Sequence, residues 1–150
     1  MMKTMKIKLC IVSVLFSFLS FAADQADIQV ILKGFKSDEG QAMLALHNTN
    51  KTFLKKKAPF KGAKVTINNK TAEYIFKNVP YGEYSIAVFH DENSNMDLDA
   101  NFLGIPKEDY GFSNNAWRKY GPPKYKQTLF TVNAEKVNME IIIKSGIEKE

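Results

Sequence analysis

Ile28, Val30 and Leu32 alternate with Asp27, Gln29 and Lys33. Ala42, Leu44 and Leu46 alternate in the same way with Gln41, Met43 and His47. A period of two marks a strand with one buried face. Residues 34–40 are polar and turn-forming, so the two runs read as a first hairpin. Val65 and Ile67 mark a short third strand. Asn68-Asn69 is a tight turn that tolerates positive φ, and residues 71–77 form a fourth strand with Tyr74 and Phe76 on one face. Pro80 and Gly82 interrupt the pattern before the strongest strand. There Tyr84, Ile86 and Val88 point one way and Ser85, Ala87 and Phe89 the other. Both faces are largely apolar, which predicts a central strand. Residues 129–132 and 137–143 complete the set. No helical period is sustained, and short helical turns fit only at 106–110 or 114–119. The pattern predicts an all-β fold: an antiparallel two-sheet β-sandwich, immunoglobulin-like or prealbumin-like, with about seven strands and one long ordered loop. Ile28, Val30, Leu44, Val65, Phe76, Ile86, Val88, Val132, Ile141 and Ile143 are its expected interior.

The first 22 residues stand apart from this pattern. Lys3, Lys6 and Lys8 precede an apolar run over 9–21, and Ser20-Phe21-Ala22 offers small residues where a signal peptidase cuts. This predicts a signal peptide over 1–22, and a single β-sandwich domain over 23–150 that is periplasmic or secreted. The apolar run falls short of the ~20 residues a membrane span needs, so no membrane span is expected in the mature chain. Cys10, the only cysteine, lies inside the leader. The mature domain must then be held by its core, a metal or a partner rather than by disulfides. The net charge of +5 includes the three leader lysines, leaving +2 for the mature chain. That balance gives no case for nucleic-acid binding. The run Lys55-Lys56-Lys57 reads as a solvated loop, and Phe53, Leu54 and Phe60 as the means of tucking residues 48–62 onto the sandwich.

The candidate chemistry sits in the long connection after the central strand. Asp91, Asn93, Asn95, Asp97 and Asp99 occupy alternate positions. Loops that hold hard cations present oxygens at such spacing, so calcium is the cofactor this run suggests. The EF-hand pattern would place Gly at Met96 and Glu at Phe102, so the run is not an EF-hand. The other reading is that Asp and Asn are turn formers bonded to the backbone. His90 and His47 end two strands and could share a transition metal, a weaker reading. His90, Asn101, Ser113, Asn114, Asn115, Trp117, Arg118 and Tyr120 are the candidate ligand-binding residues. Polar groups lie beside aromatics there, as a saccharide, peptide or headgroup site would need. Those same aromatics could instead pack the connection onto the sandwich.

Two resemblances follow from these words. The segment Phe76-Lys77-Asn78-Val79-Pro80-Tyr81-Gly82-Glu83-Tyr84, with the strand it opens, resembles transthyretin-like and carboxypeptidase-regulatory-like sandwiches. The larger resemblance rests on several words in fixed order. They are His90-Asp91-Glu92-Asn93-Ser94-Asn95, Leu98-Asp99, Asn101-Phe102, Gly104-Ile105-Pro106-Lys107-Glu108, Gly111-Phe112-Ser113-Asn114-Asn115 and Gly121-Pro122-Pro123. Together they are similar to the bacterial exported family called domain of unknown function 2141, across essentially the whole mature chain. The resemblance implies an exported single-domain sandwich and no established activity. Met96 and Asp97 depart from its pattern, which favours Gly near Met96.

The expectation is an exported, non-enzymatic binding module whose long loop is ordered by its polar motif, around calcium or as a hydrogen-bonded turn. Its partner would be an envelope protein, a saccharide or a small ligand. One alternative is an envelope assembly protein that binds another protein through an edge strand. The other is a periplasmic enzyme of unrecognised type, which would need titratable groups converging in a pocket.

Overall fold

In the computed structural model, residues 24–55 and 59–145 are described. The leader, Lys56 and Lys57 of the basic run, and the tail 146–150 lie outside them. Eight strands are present among the described residues: β1 (Gln25–Lys33), β2 (Gln41–His47), β3 (Lys61–Val65), β4 (Thr71–Pro80), β5 (Gly82–Asp91), β6 (Tyr110–Phe112), β7 (Phe130–Val132) and β8 (Lys136–Ile142). A 3-10 turn over Ser113–Asn115 and a one-turn helix α1 (Tyr125–Thr128) lie in the long connection. One sheet has the order β4-β1-β8. The other runs β3-β2-β5-β6, with β7 also pairing β5.

The core lies between the two sheets. Ile28, Val30 and Leu32 meet Leu44, Leu46, Ile86 and Val88 there, with Phe76, Val79, Val132, Ile141 and Ile143. Nine of the ten interior positions expected from the pattern are buried, and Val65 is half-buried at the end of β3. The fold class is as the alternation predicts, and β5 is central, between β2 on one side and β6 and β7 on the other. The turn before β4 is a two-residue hairpin centred on Asn69-Lys70, one residue later than the expected Asn68-Asn69. Asn69 and Lys70 both have positive φ, and the Asp38 carboxylate accepts both of their N–H groups.

Two expectations about pairing are corrected. β1 and β2 do not form a hairpin. β1 pairs with β4 and β8, and β2 with β3 and β5, so the two strands lie in different sheets. Residues 34–40 cross the end of the sandwich, with Phe35 buried in the core. Alternation specifies a buried face for each strand but not its neighbour, and a seven-residue connection fits either arrangement. The sheets are also not wholly antiparallel, because β8 runs parallel to β1. The eighth strand, β6, was hidden inside the long connection because three residues are too few to show a period.

Candidate functional site

The site begins where β5 ends. By alternation with Ile86 and Val88, His90 faces the core. Its ring packs edge-on against Phe35 at 5.1 Å, and Nε2 lies 2.8 Å from the Glu39 carbonyl. That carbonyl can only accept, so Nε2 carries the proton. His90 thereby fastens residues 34–40 to the central strand.

Asp91 faces the other way and is fully buried. Its Oδ1 accepts the Asn95 N–H at 3.0 Å. Its Oδ2 accepts the Met96 N–H at 3.0 Å and the Gln41 side-chain amide at 2.9 Å. Glu108, also buried, reaches back across the loop. Its two oxygens accept the Glu92 N–H at 3.0 Å and the Asp99 N–H at 2.9 Å. Two carboxylates thus satisfy four backbone donors that the turn would otherwise leave unpaired. Hydrogen bonds to a charged acceptor contribute about 1.5–3 kcal/mol each, and a buried carboxylate without them would be costly.

The intervening residues close on one another. Asn93 Oδ1 accepts the Asn95 N–H at 3.1 Å, and Asn95 Oδ1 accepts the Asp97 N–H at 2.8 Å, which are two successive Asx turns. The side-chain amides of Asn93 and Asn95 donate to the two oxygens of Asp99, at 2.7 and 3.3 Å. Asp91, Asn93, Asn95 and Asp99 therefore converge, as their spacing predicts. Their oxygens point at N–H donors, and Asp97 supplies a backbone N–H. Among the described residues, no group of three or more His, Cys, Asp or Glu is placed to hold a metal ion. A cation at Asp91 or Asp99 would have to draw these oxygens away from their present donors. Met96, where the resemblance favours Gly, has φ of 68°.

Beyond Asp99 the chain forms a small hairpin. Lys107 N–H bonds the Asp99 carbonyl at 2.8 Å, Asn101 N–H the Ile105 carbonyl at 2.9 Å, and Gly104 N–H the Asn101 carbonyl at 2.9 Å. Gly104 has φ of 76°, which makes this a three-residue loop closed by a left-handed residue. Asn101 Oδ1 accepts the N–H groups of both Leu103 and Ile105, at 2.9 and 3.0 Å. Every part of the turn is held, and at its tip Phe102 is 94% exposed and Leu103 68% exposed.

The other expected ligand-binding residues do not gather into one pocket. Ser113 is buried, accepting the Ile86 N–H at 2.9 Å and donating to the Thr128 carbonyl. Asn114 donates to the Leu129 carbonyl at 2.7 Å. Asn115 accepts the Ile142 N–H at 2.8 Å and donates to the Glu140 carbonyl at 3.3 Å. It pairs with β8 as a neighbouring strand would. Trp117 stacks on Tyr110 with centroids 5.2 Å apart, and Lys144 lies over it at 5.8 Å. Arg118 donates to the Pro122 carbonyl at 3.4 Å, and Tyr120 stands 77% exposed beside Lys119. Most of these groups tie the connection to the sandwich.

The shared histidine metal site is corrected outright. His47 pairs with Ser85 across the β2–β5 ladder, five positions from His90, and alternation puts the two rings on opposite faces. His47 packs edge-on against Phe53 at 5.7 Å, and burial lowers its pKa. Phe53 also meets Phe112 and Tyr125, so residues 48–54 do fold onto the sheet as expected.

The model of a bacterial family, described as an uncharacterized protein conserved in bacteria (domain of unknown function 2141), matches residues 30–140. The chain belongs to this family. The match takes in the second part of β1, most of β8, everything between them and all of the caged loop, so the family's domain is this sandwich together with its long connection. No curated protein and no solved structure matches the chain.

Sequence reasoning missed the role of two functional elements. Glu108 stands among the words of the family resemblance, but it lies 17 positions beyond Asp91, too far for local spacing to join the two. The Phe102-Leu103 tip sits within the expected loop, but its exposure depends on the hairpin. Asn101 followed three residues later by Gly104 was the signal that could have revealed it.

Proposed function

We propose that this protein is an exported, non-catalytic binding module that presents the Phe102-Leu103 tip to an apolar cleft on an envelope protein. The observation that carries the reading is the exposure of Phe102 at the end of a turn in which each strand-end N–H is bonded. A flexible loop would let such a side chain fold back onto the protein. This one is held away from it by Asn101, Gly104 and the Asp91 and Glu108 carboxylates beneath. Burying a Phe or Leu on a partner is worth about 1.5–3 kcal/mol each, and little ordering entropy is lost when the backbone is already fixed. Export is supported by the leader pattern over 1–22. On this reading the loop is held by its own hydrogen bonds, with Asp91 and Glu108 as acceptors.

The test places a photo-crosslinking amino acid at position 102 in living cells. A discrete adduct in the envelope fraction, lost on Leu103→Ser, is the expected result. An adduct pattern no different from that of the same probe at exposed Lys126 would overturn the reading. Mass spectrometry of the envelope form checks export, with Ala23 as the expected first residue.

A further inference from the structure

The two flanks of the sandwich are built differently. On one flank the sheets are stitched together. Tyr110 of β6 and Lys144, just past β8, exchange both backbone hydrogen bonds, at 3.0 and 2.9 Å, and Asn115 occupies the β8 edge. On the other flank β4 pairs only with β1, and β3 only with β2, among the described residues. Open grooves run along this flank, with Tyr74 between them and Val65, Ile75 and Phe76 contributing apolar wall. β4 is ten residues long, which is long for an edge strand. Alternate carbonyls of β4 face the flank, the others bonding β1. The Lys61 ammonium reaches across from β3 and donates to those of Lys77 and Asn78.

We infer that this flank accepts an extended peptide from another protein, one that alternates apolar and acidic side chains and adds a strand beside β4. Unpaired strand N–H and C=O groups are satisfied in full only by another extended backbone. Alternate side chains of such a strand point to opposite faces. One set would lie on Tyr74 and Val65, and the other would meet the rim. That rim carries Lys61, Lys64 and Lys77 against Glu73, whose carboxylate already accepts the Gln29 amide, and Asp27, which pairs with Lys77 at 3.7 Å. Lysines on an edge oppose pairing with a second copy, because the copy would bring the same charges to the same place. They favour a carboxylate-bearing strand for the same reason. Lys61 guards the edge until that strand replaces it. This surface is separate from the Phe102 tip and does not depend on it.

The probe is a blocked synthetic peptide of about six residues alternating valine and glutamate, with a valine–lysine peptide as control. Amide resonances and hydrogen exchange of the full mature chain are followed. The valine–glutamate peptide should shift and protect amides of residues 72–76, and the control should bind at least about tenfold more weakly. Lys64→Glu with Lys77→Glu, both at exposed positions, should reverse that preference. No saturable shift at millimolar peptide, shifts confined to other surfaces, or sedimentation of the protein alone as a β4-paired dimer would each overturn the inference.

Discussion

Asp91 Oδ2 lies 3.0 Å from the Met96 amide nitrogen, five residues further along the chain, with the carboxylate fully buried beneath the turn. Its other oxygen holds Asn95 in the same way. The carboxylate is an acceptor for three donors, so replacing it by an amide puts an NH2 group against an N–H. Asp91→Asn should cost about 2–3 kcal/mol in urea unfolding, chiefly from one backbone donor left buried and unpaired. A loss below about half a kcal/mol would show that water replaces the carboxylate without penalty.

Met96 has φ of 68°, a conformation in which an L side chain crowds its own backbone. Met96→Gly removes that crowding and should raise stability by about 1 kcal/mol. A destabilised variant would mean that the Met96 contact with Lys64 outweighs the strain.

His47 gives the protein a pH dependence whose sign can be worked out. Its folded pKa lies below the ordinary 6.5 because burial disfavours the charged ring. Between the folded and unfolded pKa values the unfolded chain binds more protons, so stability rises with pH through that window. His47 should contribute no slope above about pH 7, and a fall of up to about 1.4 kcal/mol per pH unit below 6.5. Comparing chemical unfolding of wild type and His47→Leu at pH 5 to 8 isolates this contribution. Equal slopes in the two proteins would show that His47 is solvated when charged.

Phe102 touches solvent over nearly its whole surface, so its role can be separated from folding. Phe102→Ser should leave the unfolding midpoint within about 0.5 kcal/mol of wild type while abolishing the envelope adduct formed by a crosslinker at position 103. A variant that unfolds easily would instead make Phe102 part of the loop's own packing.

The sequence made the strand faces readable and the strand partners unreadable, for one physical reason. Ile28, Val30 and Leu32 declare a buried face through local alternation. Which strand lies beside β1 depends on β4 and β8, which are distant in the chain. The same division runs through the site. The convergence of Asp91, Asn93, Asn95 and Asp99 is local and could be read from their spacing. Glu108 closes the cage from the far side of the tip hairpin, so only the fold brings it in. Aromatic density at 102–125 also suggested one ligand surface, whereas Trp117 is spent on Tyr110 and Phe102 on solvent. Sequence records that aromatics are present but not what they face.

The claim on which the functional reading rests is that hydrogen bonds alone hold the 91–108 loop rigid. Amide hydrogen exchange of Glu92, Asn95, Met96 and Asp99 in the presence of a chelator tests it most directly, because these are the four N–H groups that Asp91 and Glu108 accept. The expected result is strong protection of all four in chelator, unchanged when millimolar calcium is added. Free exchange in chelator, with protection appearing only on calcium addition, would contradict the account and make the loop a cation site.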